Sequence, residues 1–206
     1  MNPDSEPKTI LIIEDQDSLR ANLALLLELE GFRVLAAPDG IRGLEAARSE
    51  RPDLILCDLM MPGLDGLGVV RAVRADASFD AMPFLFLTAR GEQSDRESAR
   101  RLGADGYLTK PVVRDDLIEE VTARLRDGRV TGSTRMESPA TVREEAAPDR
   151  FRESLSVLLT GTDILHRHGG ALSESERIAQ REAMLAAVER LAAEMAEKNG
   201  GDPAHF

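Results

Sequence analysis

The sequence predicts an α/β fold, with a parallel sheet covered by helices on both faces, followed by an all-α antiparallel hairpin. Three observations lead there. Short apolar runs near 8–13, 32–36, 53–57, 83–88 and 105–109 alternate with helical segments near 17–30, 39–49, 65–75, 92–102 and 112–126, the pattern of βα units in a parallel sheet. The first, third and fourth runs are almost wholly apolar, as expected of strands buried on both faces. Beyond residue 148 the period changes to that of two amphipathic helices, with no further strand signal.

The elements follow in order. Ile10, Leu11, Ile12 and Ile13 make the first strand, and Glu14 and Asp15 end it. Gly31 suits the stop of the first helix. Leu54, Ile55, Leu56 and Cys57 lead to Asp58, and Pro62, Gly63, Asp65 and Gly66 punctuate the loop that follows. Phe84 to Leu87 end on Thr88. Tyr107, Leu108 and Thr109 end on Lys110 and Pro111. Open parallel sheets place their ligands outside the carboxyl ends of the strands. Here those ends collect three carboxylates, a hydroxyl and an ammonium.

Such a set has a chemical use. Clustered carboxylates suit a hard divalent cation, and Mg²⁺ takes a few carboxylates, waters and a phosphate oxygen. A hydroxyl and an ammonium alongside would hold the remaining oxygens of a phosphoryl group, whose transfer needs mainly positioning and charge neutralisation. An aspartate can serve as the nucleophile. Alone, each residue has an ordinary role: a helix cap, a loop hydroxyl, a surface lysine. The sole cysteine, Cys57, is expected to be a small buried thiol.

In combination, Glu14-Asp15, Asp58, Thr88, Tyr107 and Lys110-Pro111 resemble the receiver domain of two-component response regulators, over about residues 7–127. The resemblance implies the flavodoxin-like (βα)5 strand order. It implies Asp58 as phosphoacceptor for a cognate sensor histidine kinase. It implies Mg²⁺ held by Asp15, Asp58 and the Met60 backbone carbonyl, with Glu14 acting through water. Lys110 would pair with the phosphoryl oxygens or Asp58, Thr88 would move to the phosphoryl group, and Tyr107 would turn inward behind it. Met60 and Arg90 would tune phosphate lifetime, and Pro111 would follow a cis peptide bond.

Residues 128–148 read as a linker, 149–198 as the hairpin and 199–206 as a tail. In the first hairpin helix Phe151, Leu155, Leu158, Thr162 and Leu165 form one apolar stripe. Ser173 and Glu176 form a capping box for the second, where Ile178, Leu185 and Ala192 repeat every seven residues beside Val188 and Met195. A two-helix arm has a small core, so a homodimer joined as a four-helix bundle is expected. Residues 151–165 and 172–177 resemble the dimerisation and phosphotransfer hairpin of histidine kinases. Asp149 stands at the place of the phosphorylated histidine, Arg150 replaces the neighbouring acid, and Glu153-Ser154 replaces Thr-Pro. The resemblance implies a dimerisation hairpin without autokinase chemistry. His166 and His168 fall at the end of the first helix, where histidines complement the dipole.

The formal net charge is −11, and the parts before and after residue 128 are both net acidic. That disfavours a nucleic-acid output. A DNA-binding regulator with an atypical output domain and a phosphorelay intermediate are the alternatives to a protein-interaction output; no dedicated catalytic output is expected. The residues before Lys8 show no basic or apolar leader pattern, no run approaches the length of a membrane span, and a cytoplasmic location is expected.

Overall fold

The computed structural model describes residues 6–88, 101–127 and 149–199. Five parallel strands are β1 (Thr9–Ile13), β2 (Arg33–Ala37), β3 (Leu54–Asp58), β4 (Phe84–Thr88) and β5 (Gly106–Thr109), in the order β2-β1-β3-β4-β5. This is the flavodoxin-like arrangement. The central strands β1, β3 and β4 are buried along their whole length, which accounts for their unbroken apolar sequences.

The described helices are α1 (Asp17–Leu29), α2 (Gly40–Glu50), α3 (Gly66–Arg74), α4 (Arg114–Asp127), α5 (Asp149–His168) and α6 (Glu174–Asn199). Their ends follow local chemistry. Asp39 and Asp65 cap α2 and α3 by accepting from the Arg42 and Gly68 N–H groups at 2.8 and 2.7 Å, satisfying amides that have no partner within the helix. Gly31 takes φ 90° and ends α1, with the Phe32 N–H returning to the Leu27 carbonyl at 3.1 Å. Ser173 and Glu176 make the capping box of α6: the Ser173 N–H donates to Glu176 Oε2 at 2.6 Å and the Glu176 N–H to Ser173 Oγ at 3.3 Å.

Two cores flank the sheet. One face packs Leu11, Ile13, Ile55, Cys57 and Phe86 against Val69, Val70 and Val73 of α3. The other packs Ile10, Ile12, Leu54, Leu56 and Leu85 against Leu19, Leu23, Leu26 and Leu27 of α1 and Leu117 and Val121 of α4. That second core does not stop at the helical layer. It continues into Val157 and Ile164 of α5, Leu172 and Ala187.

Through this shared core the hairpin packs on the (βα)5 unit. α5 lies along α1, and α6 packs on α5. At Gly161 an added Cβ would lie 2.9 Å from Met184 Cγ, so the missing side chain sets the close approach of the two helices. On α5 the buried positions are Ser154, Ser156, Val157, Thr160, Gly161 and Ile164, whereas Phe151, Leu155, Leu158 and Leu165 are half-buried and Thr162 is exposed. The buried side of α5 is thus turned from the expected stripe and includes three hydroxyls.

Those hydroxyls are paired. Ser156 Oγ donates to the Arg152 carbonyl at 2.8 Å and accepts from the Val112 N–H at 3.0 Å. Thr160 Oγ1 donates to the Ser156 carbonyl at 2.7 Å and accepts from Asn22 Nδ2 at 3.0 Å. A second Asn22 N–H reaches the Val157 carbonyl at 3.0 Å. Buried hydroxyls without partners would oppose docking; paired ones orient it. Nearer the end of α5, Arg114 bonds Glu30 and lies 3.5 Å from Asp163. His168, the last residue of α5, lies 3.7 Å from Glu30.

Arg90, the segment expected as linker, most of the segment expected as a helix at 92–102, and the tail from residue 200 lie outside the described residues. Among the described residues, no helix is long and apolar enough to cross a membrane.

Candidate functional site

The strand register brings the acidic residues together. Ile13 pairs with Cys57 and Asp58 with Leu87, so Glu14 leaves β1 beside Asp58 at the end of β3. One carboxylate oxygen from each of Glu14, Asp15 and Asp58 lies within 4.8 Å of the others. Glu14 and Asp58 are buried and Asp15 is exposed.

Lys110 is brought in by β5. Its N–H donates to the Thr88 carbonyl at 2.7 Å, extending the β4–β5 pairing by one residue. Its Nζ then lies 3.0 Å from Asp58 Oδ2 and 3.0 Å from Glu14 Oε2. The Lys110–Pro111 peptide is cis. Thr88 is buried at the end of β4. Tyr107 is half-buried, two residues before the Thr109 partner of Thr88. Met60, like Asp15, is exposed: its side chain projects to solvent while its N–H reaches Asp58 Oδ1 at 3.3 Å. The structure thus assembles Glu14, Asp15, Asp58, Thr88 and Lys110 at one sheet edge.

Burial and charge set the protonation of the group. Burial pushes the Glu14 carboxyl up to about 8, against the opposing pull of Lys110 and with a further upward push from Asp58. Asp58 is also raised by burial, with Lys110 opposing. For Lys110 burial favours loss of the proton, but the Glu14 and Asp58 carboxylates outweigh it and hold the ammonium charged. The Lys110 ammonium lies 3.0 Å from each of two buried carboxyl groups, and the Asp15 carboxyl group converges on the same space, an oxygen set that fits a divalent cation. The Cys57 thiol is raised well above its ordinary value by burial and is no nucleophile at neutral pH.

The sign of the Glu14 shift gives a test of the cluster. The folded state keeps a proton that the unfolded chain releases above about 4.5, so in chelator the Glu14 contribution to stability falls as pH rises from about 4.5 through about 8. We expect Glu14→Gln to flatten this decline, read as urea midpoints across that range. A decline identical in Glu14→Gln and the parent would show that Glu14 is not its source.

Glycines give the site its tight frame. A Cβ at Gly66 would lie 2.4 Å from the Asp58 carbonyl oxygen, and one at Gly40 would lie 2.4 Å from the Leu64 carbonyl oxygen. These backbone approaches hold the loop after Asp58 against α2 and α3. Asp105, with Oδ2 bonded to Arg74 at 2.8 Å and to the Phe84 N–H at 2.9 Å, fixes the entry to β5 from the other end.

Sequence reasoning missed the second role of α1. Asn22, Leu25, Leu26 and Leu29 recur at 3- and 4-residue spacing beside the sheet-facing Leu19, Leu23 and Leu27. A surface helix needs one apolar face; α1 has two, and the second meets α5.

Comparison with known proteins agrees with this geometry. The family model for the response regulator receiver domain matches residues 10–122. The chain is 40% identical over 129 residues to the transcriptional regulatory protein CseB of Streptomyces coelicolor, covering 62% of this chain and 54% of that protein; it spans about half the length of the CseB proteins it matches. It is 38% identical over 116 residues to the protein PilH of Pseudomonas aeruginosa, covering 56% of this chain and 96% of that one. Among solved structures, the receiver domain of the P. aeruginosa sensor histidine kinase PA1611, described with a magnesium ion coordinated in its active-site cleft, is 32% identical with a TM-score of 0.55. The match covers 59% of this chain and 99% of that one.

Proposed function

Because this chain belongs to the response regulator receiver domain family, we propose that it is a phosphorylation switch whose output is the C-terminal hairpin docked on its own receiver. Asp58 is the acceptor. Lys110 holds Oδ2, and among the described residues Oδ1 meets only the long Met60 contact, so Oδ1 is the freer oxygen to attack. With a phosphohistidine of a sensor histidine kinase as donor, a P–O bond forms at Asp58 as the P–N bond breaks, and the electron pair leaves on the imidazole nitrogen. Glu14, Asp15, Asp58 and the Met60 carbonyl would hold Mg²⁺, which supplies positive charge to the transferring phosphoryl oxygens. Lys110 and Thr88 orient those oxygens.

The observation that carries the reading of the output is the bond from the Val112 N–H to Ser156 Oγ. Lys110 touches the acceptor, and two residues later the same loop touches α5. A phosphoryl group that draws Lys110 away from its present partners shifts that loop, and the Val112 bond relays the shift to the hairpin. Site and hairpin are then coupled reciprocally.

Acetyl phosphate with Mg²⁺, read by hydrogen exchange of α5, is the test. Phosphorylation should alter exchange across Ser156 and Val157. Lys110→Ala should still accept some phosphoryl group yet lose at least most of that change, and Ser156→Ala should weaken it. Unchanged α5 exchange in fully phosphorylated parent protein would sink the hairpin as output.

A DNA-binding output has the names of several relatives in its favour: CseB and AfsQ1 of Streptomyces coelicolor are named transcriptional regulatory proteins, and MtrA of Mycobacterium tuberculosis is named a DNA-binding response regulator. Against it, the described segment beyond the receiver is a two-helix hairpin whose first helix is spent on α1. Sequence-specific DNA binding at low micromolar concentration would overturn the protein-interaction reading.

A further inference from the structure

α6 carries apolar side chains that neither α5 nor the receiver covers. Ile178, Leu185, Val188 and Met195 are 45%, 60%, 49% and 57% exposed. They lie on one face with Arg181 and Ala192, at spacings of 3 and 4, while the opposite face turns Gln180 and Ala187 inward. Because α6 packs on α5 and α5 on α1, this face points away from the receiver. A contiguous apolar row of this kind on a soluble domain marks an interaction surface.

We propose that the occupant is α6 of a second copy, packed antiparallel about a two-fold axis between Ala186 and Ala187. This deepens the hairpin-output reading and rests on it for the role of the assembly. The residue positions select this pairing. Under that axis Ile178 meets Met195 of the second copy, Leu185 meets Val188, and Arg181 meets Ala192. Every large apolar residue faces another, as a self-complementary two-fold interface requires. Parallel pairing would instead set Arg181 against Arg181, two like charges in an apolar seam. In the antiparallel arrangement Arg181 faces a methyl group, with Glu189 one turn from that alanine. The receivers lie on opposite outer sides, so the sites at Asp58 stay apart.

Cysteine pairing tests the register, because Cys57 is buried and Ile178 and Met195 are exposed. Ile178→Cys and Met195→Cys are made separately in the full chain and oxidised mildly, alone and mixed. At a rise of about 1.5 Å per residue, two copies of position 178 stand roughly 26 Å apart in the antiparallel dimer, beyond disulfide reach. The mixture should give the 178–195 cross-link, and each variant alone should give little. Self-cross-linking of each variant alone, or no cross-link with monomeric sedimentation at tens of micromolar, would overturn the proposal. Leu185→Glu should lower the dimer population at least tenfold. All samples are unphosphorylated, so this outcome stands apart from the phosphorylation response of α5.

Discussion

Asp58→Asn will abolish phosphoryl incorporation from acetyl phosphate while leaving the fold intact. The amide lacks the carboxylate nucleophile, and the neighbouring acids do not replace it: Glu14 is tied to Lys110 and held near 8 by burial, and Asp15 is exposed at the rim. The loss should exceed about 100-fold, since the covalent step itself disappears. Intact-mass measurement after a timed reaction with Mg²⁺ and acetyl phosphate checks it; the parent should gain one base-labile phosphoryl group. Stability should hold, because removing one of two carboxylates raised by burial relieves part of their cost while Lys110 retains Glu14. Equal labelling in Asp58→Asn would move the acceptor elsewhere.

Ile164→Ala will loosen the hairpin from the receiver and lower the stability of the whole chain. Ile164 is 1% exposed and belongs to the core that runs from β1 and β3 through α1 into α5. Truncating such a side chain costs about 2–5 kcal/mol, depending on how well the cavity collapses. Partial release should also uncover Asn22, Leu25 and Leu29, so protease cleavage within α5 and α6 should accelerate ahead of cleavage in the sheet. A chain ending at Asp127 keeps the sheet core and should retain phosphorylation at Asp58, but with the second face of α1 wet. Ile164→Ala with parental denaturation and protease resistance would mean that α5 is not held by this core.

The chemistry at the sheet edge was legible because each part of it is local. Apolar runs of four or five residues end on Glu14, Asp58, Thr88 and Lys110, and parallel strands in one sheet necessarily present those ends on one side. Helix stops and starts at Gly31, Asp65 and Ser173 rest on bonds spanning a few residues, which sequence spacing encodes directly. The family resemblance added the strand order, and the structure has it.

Only the tertiary structure decided where the hairpin goes. Its helical period shows an apolar face but not its partner, and an unpartnered face fits a second copy as well as the receiver. Docking turned instead on residues that period analysis discounts. Ser156 and Thr160 break the apolar pattern of α5, and Asn22 breaks that of α1, yet each is buried because it bonds across the interface. Hydrogen bonds between residues 44 to 138 positions apart have no signature in spacing. The sequence by itself determined the strands, the caps and the acidic cluster; the long-range pairing of buried polar groups, which must be satisfied wherever they are desolvated, chose the receiver as the surface that α5 covers and left α6 facing outward.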